Sequence, residues 1–338
     1  MTGPLSSRIT APAEIGLPAG PSGVSWRRAT AADLDALVEL HAAMAASDHP
    51  DWAETREQLA EDLEHSWVDP EADSAIGELD GELVAYGIQL SPDEVETIAR
   101  SFAFGGVRPS RRDQGIGREL LAWHRVRARQ QLARFDFDVP GWSIWYVEER
   151  NPSALGLAAH LGFAPVRYSS KMERDLADPI PDLPLPEGLT LVTPTRDDTE
   201  RLREARNETF RDHWGSQPMA AEDWESMHAQ STSRFDLSLM ALDGDRIAGF
   251  LMSAVYPEDF ERQGFVGGYI PYVGVVREWR RRGVAPALLA EAFRRHRAEG
   301  FERVGLDVDT ENPTGALALY TGMGFVPVSR NVTFVEEF

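Results

Sequence analysis

Two stretches of the chain open with the same alternation of apolar and polar residues, "VSWRRATAADLDALVEL" from Val24 and "LTLVTPTRDDTERLREA" from Leu189. Each reads as a short strand, a threonine-bearing turn able to cap, and a helix whose apolar positions recur every three or four residues. Further along, "IGELDGELVAYGIQL" and "LMALDGDRIAGFLMS" set two apolar arms around Asp80-Gly81 and Asp243-Gly244. Asp-Gly between alternating arms predicts a tight hairpin, because both central residues of a type I′ turn need positive φ. An apolar strand then follows in each half, "SFAFGGV" and "YIPYVGV", and runs into a glycine turn at the head of an amphipathic helix. Another strand ("WSIWYV", "VGLDV"), an asparagine-proline pair, a short alanine-rich helix and "GFAPV" or "GFVPV" complete the series.

Matching features lie 165 residues apart at the opening strands, 163 at the hairpins, 168 at Gly115 and Gly283, and 161 at Asn151 and Asn312. So steady an offset predicts a duplicated α/β unit. Between the copies, "LADPIPDLPLPEG" holds four prolines, which deny both helix and sheet their regular hydrogen bonds. The expected organisation is a flexible leader over 1–23, a first domain over 24–175, a linker over 176–188 and a second domain over 189–338.

Length agrees, since 338 residues suit two domains of about 150 each. The net charge of -21, from 34 basic and 55 acidic side chains, would repel a phosphate backbone, so nucleic acid is not an expected partner. There is no cysteine, which excludes disulfides, thiolate metal sites and a cysteine nucleophile. The eight histidines form no close pair that would suggest a metal site. The opening residues lack an apolar run behind a basic start, and no later segment approaches about 18 unbroken apolar residues. The expectation is a cytoplasmic protein with no membrane partner.

The glycine turns carry the candidate chemistry. Arg112-x-x-Gly115-x-Gly117 and Arg280-x-x-Gly283-x-Ala285 each stand between a strand and a helix. There, unpaired backbone N–H groups and the positive end of the helix dipole converge. Glycine permits the tight turn, the small residue two further on keeps the wall clear, and arginines add charge where a phosphate would sit. This predicts a pyrophosphate cradle, with Arg280, Arg281 and Arg282 supporting the second copy. A plain strand-to-helix turn with solvated arginines explains either copy alone; their repetition in one context favours the cradle. G-x-G-x-x-G is incomplete in both copies, and G-x-x-x-x-G-K-[ST], H-E-x-x-H and G-x-S-x-G are absent.

Together, Val275, Arg280, Gly283 and Ala285, followed by Asn312, Ala316, Leu319, Tyr320, Gly324 and Phe325, resemble the GNAT superfamily of acyl-CoA-dependent N-acyltransferases. The resemblance covers both halves, and the tandem layout is similar to that of mycothiol synthase and its relatives. It implies an α/β (α+β) fold of two tandem GNAT-like domains, each a mixed, mostly antiparallel sheet with a splayed parallel strand pair and flanking helices. It also implies acetyl-CoA as co-substrate, no metal, and transfer to the primary amine of a small molecule by direct attack in a ternary complex, in a monomer or homodimer.

Carried over residue by residue, the resemblance implies that the first splayed strand is 268–275 in the second unit and 102–107 in the first. Backbone at Val273 and Val275 would bind the pantetheine arm. N–H groups from Arg280 through Arg281, Arg282, Gly283, Val284 and Ala285 would take the pyrophosphate, and Asn312 would hold the arm from the other side. Tyr320 maps onto the acid that protonates the departing thiolate, a role open to a phenol because both groups have pKa values of about 10. In the first unit the donor residues would be Val107, Arg112, Gln114, Gly115, Ile116, Gly117 and Asn151. Its last helix is one residue shorter, so counting from Asn151 puts Ala159 at the tyrosine position and counting back from Gly162-Phe163 puts Ala158 there. Neither donates a proton, so this unit is expected to bind donor and to be catalytically impaired, unless His160 substitutes. On the acceptor side, Asp212 is a candidate partner for a cationic amine, Trp214 a wall and His213 a base, with Glu258, Asp259, Asp307 and Asp309 as unranked carboxylates. A non-catalytic acyl-CoA sensor or scaffold is the alternative; a nucleotide-dependent oxidoreductase is a third.

Overall fold

The computed structural model describes residues 3–49, 51–311 and 315–338. The chain divides into two compact units, one formed by 1–168 with 331–338 and the other by 169–330. In chain order the first half contains α1 (Leu5–Arg8), β1 (Ser25–Arg27), α2 (Leu34–Asp48), α3 (Arg56–Glu64), α4 (Pro70–Asp73), β2 (Ser74–Leu79), β3 (Glu82–Leu90), β4 (Ala99–Val107), α5 (Ile116–Ala133), β5 (Gly141–Glu148), α6 (Pro152–His160) and β6 (Arg167–Asp175). The second half contains β7 (Thr190–Val192), α7 (Thr199–Thr209), α8 (Ala221–Ala229), β8 (Leu239–Asp243), β9 (Arg246–Ala254), α9 (Phe260–Gln263), β10 (Gly267–Val275), α10 (Val284–Ala298), β11 (Arg303–Asp309), α11 (Ala316–Gly322) and β12 (Val326–Glu337).

Both units share one six-strand arrangement. In the first, β1 to β5 lie in sequence order, antiparallel except for the parallel pair β4/β5, and β12 pairs antiparallel with β5 through Asn331–Glu337. In the second, β7, β8, β9, β10 and β11 repeat that order with β10/β11 parallel, and β6 pairs antiparallel with β11 through Ser169–Asp175. The sixth strand of each unit thus comes from the other half of the sequence. Unit boundaries consequently differ from the expected 24–175 and 189–338: cross-strand pairing assigns 169–175 to the second unit and the final eight residues to the first.

The repeated local signals form as their chemistry dictates. Thr30 with Asp33 and Thr195 with Asp198 build capping boxes before α2 and α7. Asp80 and Gly81 adopt positive φ of 55° and 78° in the β2/β3 turn. On one face of the second sheet, Leu288, Leu289 and Phe293 of α10 are fully buried with Leu251, Leu306 and Phe325. Removing such side chains from water contributes roughly 1.5–3 kcal/mol each. On the other face, α7 and α8 pack Leu202 and Trp224 against Phe250 and Met252.

The leader is not free: Leu5 and Ile9 are buried with Leu132 and Phe135, and Leu5 and Ser6 donate backbone bonds to Phe137 and Phe135. Two apolar residues four apart hold that segment down. The linker has no regular structure, as its prolines require. It is nevertheless docked, since Leu176 is buried and Ile180, Leu183 and Leu185 pack on the second core.

Candidate active site

The turn expected to cradle phosphate has the same backbone in both copies. Asp113 and Gly115 have φ of 61° and 89°; Arg281 and Gly283 have 60° and 89°. Left-handed residues at alternate positions turn successive N–H groups toward one side and make an anion-binding concavity. Gly115 and Gly283 are the N-caps of α5 and α10, 18 and 15 residues long. A Cβ at either glycine would meet nothing within 4 Å, so the space before each helix start is open. In α10 the earliest helical bond runs from the Ala287 N–H to the Gly283 carbonyl, leaving the N–H groups of Val284 and Ala285 directed out of the helix.

The arginines do something else than expected. Arg280 donates from Nε to the Val275 carbonyl (3.1 Å) and from its two terminal nitrogens to Asp212 (3.0 Å) and the Thr209 carbonyl (3.0 Å). Arg112 repeats the pattern, with Nε on the Val107 carbonyl (3.2 Å) and both Nη atoms on Asp48 (2.7 Å each). Each guanidinium therefore clamps the strand end to the turn, and the charge foreseen for phosphate is spent on a carboxylate. Arg281 and Arg282 remain exposed at the cradle, Arg282 lying over the Trp279 ring at 5.1 Å. Gln114 is exposed, whereas Ile116 is buried and Gly117 half-buried beside it.

Strand separation distinguishes the copies. β10 and β11 pair only at Gly267/Arg303, Gly268/Val304 and Tyr269/Gly305, so Ile270 through Val275 run on without a parallel neighbour. A bulge between Tyr269 and Tyr272 coincides with the parting. Pro271 sits inside it, a residue that cannot donate to a ladder. In the first unit pairing continues to Ala103/Trp145, so the splay begins at Phe104 rather than Phe102, and the register to β3 is unbroken. Val273 and Val275 lie on the freed stretch of β10 and pack toward α10; Val107 ends β4. Asn312 lies outside the described residues. Its counterpart Asn151 caps α6 by accepting from the Ala154 N–H (3.0 Å) and donates to Asp48 (2.9 Å).

Tyr320 is buried on α11, its ring 5.8 Å from Phe325 in an edge contact, and burial pushes its phenol up to about 12. Phe325 donates its N–H to the Tyr320 carbonyl at 3.0 Å, and in the first unit Phe163 does the same to Ala158 at 3.0 Å. That identity of backbone resolves the counting ambiguity: Ala158, also buried, occupies the place of Tyr320, while Ala159 and His160 face solvent.

Among acceptor-side candidates, Asp212 accepts from both Arg277 (2.9 Å) and Arg280 (3.0 Å), which hold its carboxyl below the usual range. The His213 ring lies tilted against Phe210 at 4.3 Å; burial, then Arg206 and Arg280, depress its basicity, with Asp309 and Asp212 acting the other way. Trp214 follows it in the same half-buried loop. A pair missed from sequence lies on this face: Tyr269 of β10 donates to Asp307 of β11 at 2.6 Å. Among the described residues there is no cluster of histidines and carboxylates that could hold a metal ion, and no helix long and apolar enough to cross a membrane.

The acetyltransferase (GNAT) family model matches residues 199–325. A mycothiol acetyltransferase from Thermomonospora curvata is 33% identical over 68% of this chain and 71% of its own length, and one from Salinispora arenicola is 33% identical over 75% and 78%. The chain belongs to the GNAT acetyltransferase family. It is accordingly an acetyl-CoA-dependent N-acetyltransferase. Its tandem fold is similar to that of a GCN5-related N-acetyltransferase from Sphaerobacter thermophilus, at a TM-score of 0.70 and 29% identity over 94% of this chain and 97% of that one. A tandem GNAT protein from the clavulanic acid biosynthesis pathway shares the fold at a TM-score of 0.65 and 20% identity.

Proposed function

We propose that the second unit transfers acetyl from acetyl-CoA to the primary amine of a small molecule by direct attack in a ternary complex, with Tyr320 as the acid. In this reading the diphosphate rests on the N–H groups of 281–285, the pantetheine arm lies along Val273 and Val275, and the thioester sits in the gap between β10 and β11. The first unit holds a second donor on the matching turn, 113–117, without transferring from it. The observation that carries the reading is Ala158 standing where Tyr320 stands at matching helix C-terminal ends, together with the earlier end of parallel pairing in the second unit. Asp212 shapes the site through Arg280 rather than by meeting the amine, while His213 and Trp214 border the acceptor. Likeness to the mycothiol acetyltransferases makes a mycothiol-related amine one member of the panel to be tried. The test is thiol release from acetyl-CoA across a panel of amines, comparing the native chain with Tyr320→Phe. Donor binding without turnover on any amine would instead support a sensor.

A further inference from the structure

The two faces of the second sheet carry different chemistry where its strands part. Leu306 and Val308 of β11 and Val273 and Val275 of β10 belong to the apolar face that also buries Tyr320. Alternation along a strand then turns Asp307 and Asp309 to the opposite face. Tyr269 shares that face, because its neighbours Gly268 and Ile270 point toward α10, where a Cβ at Gly268 would strike His296. Tyr269 is the last β10 residue paired with β11, and its hydroxyl reaches Asp307 two residues beyond that pair. The hydrogen bond thus spans the notch at which the gap opens. A thioester lodged in the gap would meet the Tyr320 phenol from one face and Asp307 from the other.

Charge on this face is mixed, with Arg303 paired to Glu173 at 3.2 Å and Lys171 nearby, and the three carboxylates Glu173, Asp307 and Asp309 leave a net of one negative charge. Asp307 and Asp309 stand two apart on one strand, and Asp307 lies directly across the β11/β6 ladder from Lys171, whose ammonium is 3.9 Å from Glu173. Asp307 keeps an exposed edge, yet the protein packed around it displaces enough water for desolvation to raise its carboxyl above the ordinary range, against the pull first of the Tyr269 hydrogen bond and then of Lys171. His213 is placed less well to accept a proton, since burial first, and then Arg206 and Arg280, oppose an imidazolium.

We propose that Asp307, positioned by Tyr269, receives the ammonium group of the acceptor and takes up its first proton. This rests on the transferase reading above and names its acceptor class, a protonated primary amine. The ammonium gives one proton to Asp307. The freed lone pair forms the C–N bond to the thioester carbonyl carbon, the C–S bond breaks, and the thiolate takes the Tyr320 proton. The second proton leaving nitrogen passes through solvent to restore the phenol, and Asp307 returns its own to bulk. Tyr269 is a positioning residue.

The test is the pH profile of thiol release by the full chain with saturating acetyl-CoA. Asp307→Asn is expected to lower kcat/KM for the amine by at least about 100-fold and to remove the acidic limb, with acetyl-CoA affinity within about twofold of native. Tyr269→Phe should move that limb to higher pH, since a donor that favours the carboxylate is lost. His213→Ala should retain the limb. An active native chain whose Asp307→Asn variant keeps kcat/KM within about threefold and the same limb overturns this inference alone. A native chain that releases no thiol with any amine overturns the transferase reading and this one with it.

Discussion

Tyr320→Phe removes a single oxygen from the second unit. The ring that packs on Phe325 remains, and among the described residues the hydroxyl has no hydrogen-bond partner, so stability should change by less than about 1 kcal/mol. Tyr320→Ala, by contrast, would empty a buried site and cost about 3–5 kcal/mol. Loss of a positioned general acid is worth about 10²–10⁴ in rate, so kcat should fall by that factor while acetyl-CoA affinity stays level. The proposed role also carries a pH dependence. With the phenol pushed up to about 12, the acid keeps its proton across the neutral and mildly alkaline range. The ratio of native to variant kcat should therefore be flat from about pH 7 to 10, where a solvated phenol of ordinary pKa would already be losing its proton. The assay is continuous thiol detection at saturating acetyl-CoA and amine, with melting temperature and calorimetric donor affinity as controls. A variant retaining kcat within about threefold, or a ratio that collapses toward unity near pH 10, would refute the assignment.

Four further outcomes are expected. Gly283→Glu puts a carboxylate into the open space before α10, and acetyl-CoA affinity at that unit should drop by at least about 100-fold; unchanged calorimetric affinity would sink the cradle. Gly115→Glu should lower the number of acetyl-CoA molecules bound per chain by one, and an unchanged calorimetric stoichiometry would remove the second donor from the first unit. Arg280→Lys cannot reproduce the three-way clamp on Val275, Thr209 and Asp212, so KM for acetyl-CoA should rise with little change in kcat, and the reverse split would point to a direct catalytic role. In the first unit, burial depresses His124 to about 3. Because the folded value lies below the unfolded one, its stabilisation is complete above about pH 6.5 and is lost as pH falls through the window between the two values. Chemical unfolding at several pH values should show that slope in the native chain and its reduction in His124→Gln; identical slopes would exclude His124.

Duplication, the hairpins and the glycine turns were legible because each depends on residues close in sequence: Asp80-Gly81 must tolerate positive φ, and Gly115 and Gly283 must open a helix. The roles of Arg112 and Arg280 were not, because their partners Asp48 and Asp212 lie more than sixty positions away and a guanidinium beside a cradle reads equally as ligand or clamp. Ala158 could be aligned with Tyr320 only once the bonds from Phe163 and Phe325 fixed the helix ends. Tyr269 and Asp307 are separated by a whole helix, and only the bulge at Pro271, which sequence marks by that proline alone, sets where their strands part. The leader deceived for a related reason: its two apolar residues find their pocket against Leu132 and Phe135, far along the chain.

Exchange of the sixth strands bears on how the molecule is made. A ribosome releases β5 long before Asn331–Glu337, so the nascent first half waits with an open ladder edge until that later strand has been made. Splitting the gene at the proline-rich stretch would give two pieces, each carrying the strand that closes the other. Such fragments should be poorly soluble when expressed separately and should recover each other on co-expression, which makes the two copies one obligate folding partnership.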